Sequence, residues 1–138
     1  MRPGLRRGAR MELTFVVEPW MKPHLEGLVR HPLYATWAMV YHMETVSRAL
    51  LAPYLETVEE AVGGAVLVKH LAPAGLRSRV RVTATLARAR GNKIWTRLEA
   101  FCKNRKIGEG SHLQVIMPRA RFARLLREAR AGGRHAHG

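Results

Sequence analysis

Glu44 stands in the middle of an otherwise apolar run, LYATWAMVYHMETVSRALLA, at positions 33–52. A carboxylate buried in such a run costs free energy unless it is paired, hydrogen-bonded or neutral. It therefore lies either on an exposed stripe or where chemistry needs it. All ten acidic residues of the chain are Glu, and there is no Asp. Any mechanism that uses a carboxylate as nucleophile or general base must use Glu. Other groups could share that work. Thr36, eight residues before Glu44, has a hydroxyl that can orient water, bond a carboxylate or itself attack. His70 titrates near neutrality and can shuttle a proton. Gly63 and Gly64, in AVGGAVLVKHLA, let backbone N–H groups come close to a ligand. On one straight helix Thr36 and Glu44 would be about 12 Å apart along the axis. Contact between them requires a non-helical entry at Thr36, an intervening water or a second subunit. The expected arrangement is Thr36 at the helix entry, serving as N-cap. His42, two residues before Glu44, points elsewhere on the helix and reads as structural.

The elements that must position these groups follow from periodicity. MELTFVVEP (11–19) reads as a strand, and 20–32, with two prolines and no clean period, as a long loop of the kind that often forms a lid or rim. The apolar helix spans about 36–52 and stops at Pro53. Beyond a Glu-rich linker, 61–72 is β-rich and broken at Gly63-Gly64. RSRVRVTATLARAR (77–90) and NKIWTRLEAFCK (92–103) alternate cleanly around a Gly91-Asn92 turn. KIGEGSHLQVIM (106–117) is a last strand whose Gly108 and Gly110 suggest a bend or bulge. Phe122, Leu125 and Leu126 make the apolar stripe of a short C-terminal helix. A helix buried on most sides, followed by four strands in antiparallel succession, requires a sheet curled around it.

The 138 residues make one domain. No stretch has the roughly 18 uninterrupted apolar residues of a membrane span, and no apolar core follows the basic MRPGLRRGAR as in a signal peptide. A single cysteine, Cys102, excludes an internal disulfide and suits the cytoplasm. The net charge is +14, of which residues 1–10 and 119–138 supply +9, so the body is only moderately basic. That balance favours a polyanionic ligand, either a nucleic acid or a phosphorylated small molecule. Arg outnumbers Lys 19 to 5, and Asn plus Gln total three, a weak thermophile signature. His135 and His137 have no Cys or acid beside them, and no metal site is expected.

YATWAMVYHME (34–44), APYLE (52–56), GGAVLVKH (63–70) and IGEGSH (107–112) resemble the hotdog-fold thioesterases, and most closely the fluoroacetyl-CoA thioesterase family, over about 12–122. The resemblance implies an α+β hotdog fold, a five-stranded antiparallel sheet wrapped around one long buried helix. It also implies a thioester hydrolase of the acyl-CoA class, with coenzyme A as part of the substrate and no cofactor. In that family a Thr and a Glu lie eight apart, a His follows the Glu by 26, and a Gly precedes that His by seven; Thr36, Glu44, His70 and Gly63 match. Gln114 stands where the family has an arginine, and is carried over with Gly63 and Gly64 as substrate-binding. LVRHPLY, with Arg30 and His31, stands where fluoroacetyl-selective members carry lid aromatics. These departures point to another short acyl-CoA.

The expected organisation is a disordered basic tail at 1–10, a hotdog domain at 11–130 and a flexible tail at 131–138. The open sheet edges call for a homodimer, with association of two dimers left open. A hotdog hydratase would need an Asp, which is absent. The competing readings are a basic nucleic-acid-binding module, disfavoured because most excess charge sits at the chain ends, and a non-catalytic acyl-CoA-binding hotdog module.

Overall fold

A computed structural model describes residues 1–135. Five strands, β1 (Arg10–Val16), β2 (Glu59–His70), β3 (Arg79–Arg90), β4 (Lys93–Cys102) and β5 (Arg105–Pro118), form one antiparallel sheet in the order β1-β3-β4-β5-β2. Helix α1 (Thr36–Leu51) packs against all five strands. Alternation sets the inner face: Val80, Val82, Ala84 and Leu86 of β3 and Ile94, Leu98 and Ala100 of β4 are buried. They meet Ala38, Met39, Met43, Val46, Leu50 and Leu51 of α1 in one core. Each fully buried large apolar side chain stabilises by about 1.5–3 kcal/mol. The sequence-derived architecture is therefore the observed one, a hotdog.

The loop between β1 and α1 carries short 3-10 turns at Pro19–Met21 and Leu25–Gly27. On the outer face Arg81 lies over the Phe101 ring at 4.7 Å and pairs with Glu12 at 3.2 Å, so its charge is spent within the sheet.

Several sequence expectations are corrected. The first ten residues are not a loose tail. Gly8 donates its N–H to Leu86, Leu86 donates back to Ala9, and Leu5 and Ala9 pack on the core. The Arg side chains of this segment obscure a backbone tied to the β3 edge. At the other end α2 (Arg119–His135) continues past position 130; residues 136–138 of the expected flexible tail, with His137, lie outside the described residues. Irregularities occur at both glycine-bearing stretches: on β2 the register steps from Gly63–Gln114 to Ala65–Leu113 and leaves Gly64 as the extra residue, and on β5 it steps from Ala100–Gly108 to Phe101–Lys106 and leaves Ile107 extra beside Gly108. Gly110 serves a close approach: a Cβ there would collide with the Leu67 carbonyl oxygen of β2.

Gly110→Ala should therefore cost about 1–3 kcal/mol by overpacking, read as a lower urea midpoint at unchanged slope. An unaltered midpoint would contradict the β2–β5 approach.

Candidate active site

Helix α1 is buried along one broad face and open along a stripe of residues three to four apart. Ala38, Met39, His42, Met43, Val46 and Ser47 face inward, whereas Thr36, Trp37, Tyr41 and Glu44 are exposed. Glu44 thus interrupts the apolar run on the side the sheet leaves uncovered. Among the described residues it makes no ion pair or hydrogen bond. Arg48, one turn on, is held by Glu60 at 2.7 Å and the Ala61 carbonyl at 2.6 Å.

Thr36 is not the N-cap. Ala35 holds that position without a side-chain cap, and Thr36 is the first helical residue. Its Oγ1 instead lies 2.8 Å from His70 Nδ1 at the end of β2. Burial pushes the His70 ring below its ordinary pKa, which the Ala72 carbonyl partly opposes. That carbonyl favours a proton on the ring without forming a hydrogen bond of ordinary geometry, and Nε2 is buried without a partner. A neutral ring whose Nδ1 accepts from a hydroxyl is the arrangement that activates the hydroxyl as a nucleophile.

Behind this pair His42 is stacked on Phe15 at 3.8 Å, and its Nδ1 is hydrogen-bonded with the Tyr34 hydroxyl at 2.6 Å. Burial raises the Tyr34 pKa and pushes His42 down to about 4. His42 is therefore a neutral core residue, as its offset from Glu44 indicated. Trp20, from the loop, lies 5.9 Å from both Trp37 and Tyr41. This aromatic wall on the open stripe was not anticipated from the sequence; the i, i+4 spacing of Trp37 and Tyr41 was its signal.

Gly63 and Gly64 lie at the β2 bulge, remote from His70 within one chain. Gly63 faces the His112 ring: a Cβ there would sit 3.4 Å from Nε2. Gln114 is turned inward. It is buried, and its amide donates to the Ser47 carbonyl at 3.2 Å and hydroxyl at 3.1 Å. The alternation that puts Ile116 and His112 inward also puts Gln114 inward, where α1 covers it. The structure thus joins Thr36 with His70 and places Glu44 about two turns further along α1. His112 was missed by the sequence reading because its partners come from α1 and β4.

A family model described as fluoroacetyl-CoA-specific thioesterase matches residues 17–120. The chain is 33% identical to the fluoroacetyl-CoA thioesterase of Streptantibioticus cattleyicolor over 141 residues, 96% of this chain and 100% of that protein. A Thermus thermophilus hypothetical protein, described as a thioesterase superfamily member, superposes with a TM-score of 0.93 at 38% identity, covering 98% and 99% of the two chains. The fluoroacetyl-CoA thioesterase FlK superposes at 0.84 and 30% identity, covering 91% and 98%.

The buried histidines fix a pH dependence. His42, His70 and His112 all have folded pKa values lowered by burial. The unfolded chain takes up their protons first, so their contribution is intact above about pH 6.5 and is lost as pH falls. For His42 the window runs from 6.5 down to about 4, worth at most about 3 kcal/mol. Urea midpoints should fall between pH 7 and 4.5, less steeply in His42→Gln. An equal slope in the variant would exclude His42 as a source.

Proposed function

The chain belongs to the fluoroacetyl-CoA-specific thioesterase family, and from that premise we propose that it is an acyl-CoA thioesterase releasing a short acid and free coenzyme A. The observation that carries the assignment of the site is the 2.8 Å hydrogen bond joining Thr36 to His70. Water adds across the thioester. The carbonyl carbon gains an oxygen and loses sulfur, and the departing thiolate takes a proton. Glu44 attacks the carbonyl or takes the proton of the attacking water. Thr36 and His70 carry protons between the reacting oxygen and the sulfur. Gly63 and Gly64 present backbone at the acyl carbonyl. Trp20, Trp37 and Tyr41 wall the acyl group, a surface that suits a small apolar group. Arg30 and His31, in place of the family's lid aromatics, argue for an acyl group other than fluoroacetyl.

The site is completed by a second protomer. Thr36 and Glu44 are both within α1, about 12 Å apart along it. Gly63 and His70 are both on β2, about 20 Å apart. One two-fold axis removes both separations. If it passes beside Val40, midway between Thr36 and Glu44, and between Val66 and Leu67, midway along the β2 pair, each half-site meets its complement. Val66 and Leu67 are exposed hydrophobics on β2, an edge strand of the sheet, as such pairing needs. The proposed dimer thus brings Thr36 and His70 of one chain to Glu44 and Gly63 of the other. The remaining basic charge suits the phosphates of coenzyme A. No helix among the described residues is long and apolar enough to cross a membrane; a cytoplasmic location is proposed from the substrate and the single thiol.

Hydrolysis is followed by thiol release into a chromogenic disulfide across a series of acyl lengths. Glu44→Gln and Thr36→Ala should each lower kcat by about 100-fold or more with the fold retained. Refolding the two variants together should restore roughly a quarter of parental activity, since half of the random dimers are mixed and each holds one intact site. Full activity in Glu44→Gln would remove the carboxylate from the mechanism. Absence of recovery on mixing would place the whole site within one chain.

A further inference from the structure

Ser47 is a buried hub with one hydrogen to give and two lone pairs to receive. Three side chains converge on its hydroxyl: Thr96 Oγ1 at 2.8 Å, His112 Nδ1 at 2.9 Å and Gln114 Nε2 at 3.1 Å. The Gln114 amide nitrogen can only donate. The Thr96 hydroxyl could donate to Ser47 or to the His112 carbonyl, but the carbonyl, 3.4 Å away, lies beyond the ordinary O–H···O range of about 2.5–3.0 Å, so the Thr96 hydrogen goes to Ser47. With Thr96 and Gln114 both donating, the lone pairs of Ser47 are filled, and its single hydrogen must go to His112 Nδ1. His112 is then a neutral ring carrying its proton on Nε2. No protein acceptor for that proton is found among the described residues, and it faces Gly63, where the missing Cβ leaves the ring unobstructed.

Glu44 lies one turn before Ser47 on α1, exposed and without a partner. We infer that His112 is a positioning residue for Glu44: its Nε2–H donates to the carboxylate and holds one oxygen toward the thioester, while Ser47, Thr96 and Gln114 fix the tautomer. This rests on the reading of Glu44 as the catalytic carboxylate. The carboxylate acts electrostatically on the ring, favouring its protonated form against a larger lowering by burial, and Arg48 opposes it. Those two residues of α1 are the charges that bear on His112. Gly63 of β2, Thr96 of β4 and Gln114 of β5, which pack around it, do not titrate. A chain of neutral donors ending on an ionised acceptor gives the last hydrogen bond the strength of a charge-assisted one.

The dimeric enzyme is tested in two ways. In nitrogen-15 correlation spectra at pH 7, His112 should show the Nε2–H tautomer, and Glu44→Gln should lower its pKa by removing the nearby charge. The Nδ1–H tautomer, or an unchanged His112 titration in Glu44→Gln, overturns the proposal without reference to activity. In kinetics, His112→Ala should lower kcat about 10- to 100-fold, the worth of one hydrogen bond to a charged group, with little change in KM. It should also move the acidic limb of the kcat/KM profile to higher pH. His112→Gln, whose amide nitrogen can take the place of Nε2, should recover most of both effects. A folded His112→Ala enzyme with an unmoved acidic limb, or equal losses in the Ala and Gln variants, overturns the proposal. Should Glu44→Gln itself hydrolyse normally, the catalytic assignment of Glu44 fails, whereas the tautomer and its coupling to Glu44 are still read from the spectra.

Discussion

Side chains on a β-strand alternate between its faces, and Gly63 and His70 are separated by an odd number of positions on β2. In a regular strand one would face α1 and the other would face away. The bulge at Gly64 adds one residue opposed by nothing on β5 and restores the parity. His70 can then reach Thr36 at one end of the groove while Gly63 lies against the His112 ring further along it. Gly64 is where such a residue fits, since a Cβ there would press on Val115 and Leu113 at 3.2–3.3 Å. The bulge thus sets which face of β2 Gly63 and His70 present.

Helix α1 sorts its polar side chains by the same geometry. Those turned inward are neutral and mutually bonded: His42 with Tyr34, and Ser47 with Thr96, His112 and Gln114. Those turned outward, Thr36 and Glu44, keep a hydroxyl and a charge at the surface, while the half-buried Arg48 is held by Glu60 and the Ala61 carbonyl. Burying a charge without a partner is far more costly than burying a bonded dipole. The inner face can therefore be polar without being ionic, and the ionic chemistry collects on the open stripe. Two neutral histidines beneath that stripe give it rigid support, because each ring is fixed by a hydrogen bond within 3 Å.

The parts legible in the sequence were those that depend on one element at a time. The run from Thr36 to Pro53 gave a helix, and the alternation of 77–90 and 92–103 gave a hairpin, because each period is local. Thr36 and His70 were singled out by the family resemblance, whose spacings to Glu44 they match, and the two lie 2.8 Å apart. Glu44 does not join them within one chain, since eight residues of regular helix intervene. Gln114 is a substrate-binding candidate only through the family arginine at its position, and the strand's alternation turns its side chain beneath α1. The Ser47 hub was invisible because its four members come from α1, β4 and β5. The N-terminal segment was misread because charge reports on side chains, and its order comes from backbone bonds to β3.

The same distinction between what a residue is and what holds it explains why Glu44 stays available in so basic a chain. Lys and Arg total 24 against ten carboxylates, so a surface Glu has many cations to meet. Glu12, Glu56, Glu59, Glu60, Glu99 and Glu109 each meet one. Glu44 has a natural candidate in Arg48 at i+4, but the Arg48 guanidinium is drawn to the start of β2 by Glu60 and the Ala61 carbonyl. A guanidinium in contact would occupy both carboxylate oxygens in its fork of donors. With Arg48 anchored elsewhere, those oxygens meet no cation among the described residues and can accept from a donor that comes to them. The Arg48–Glu60 pair is half-exposed and adds little to stability as a surface ion pair; its larger effect is to keep the cation away from the one carboxylate of the groove.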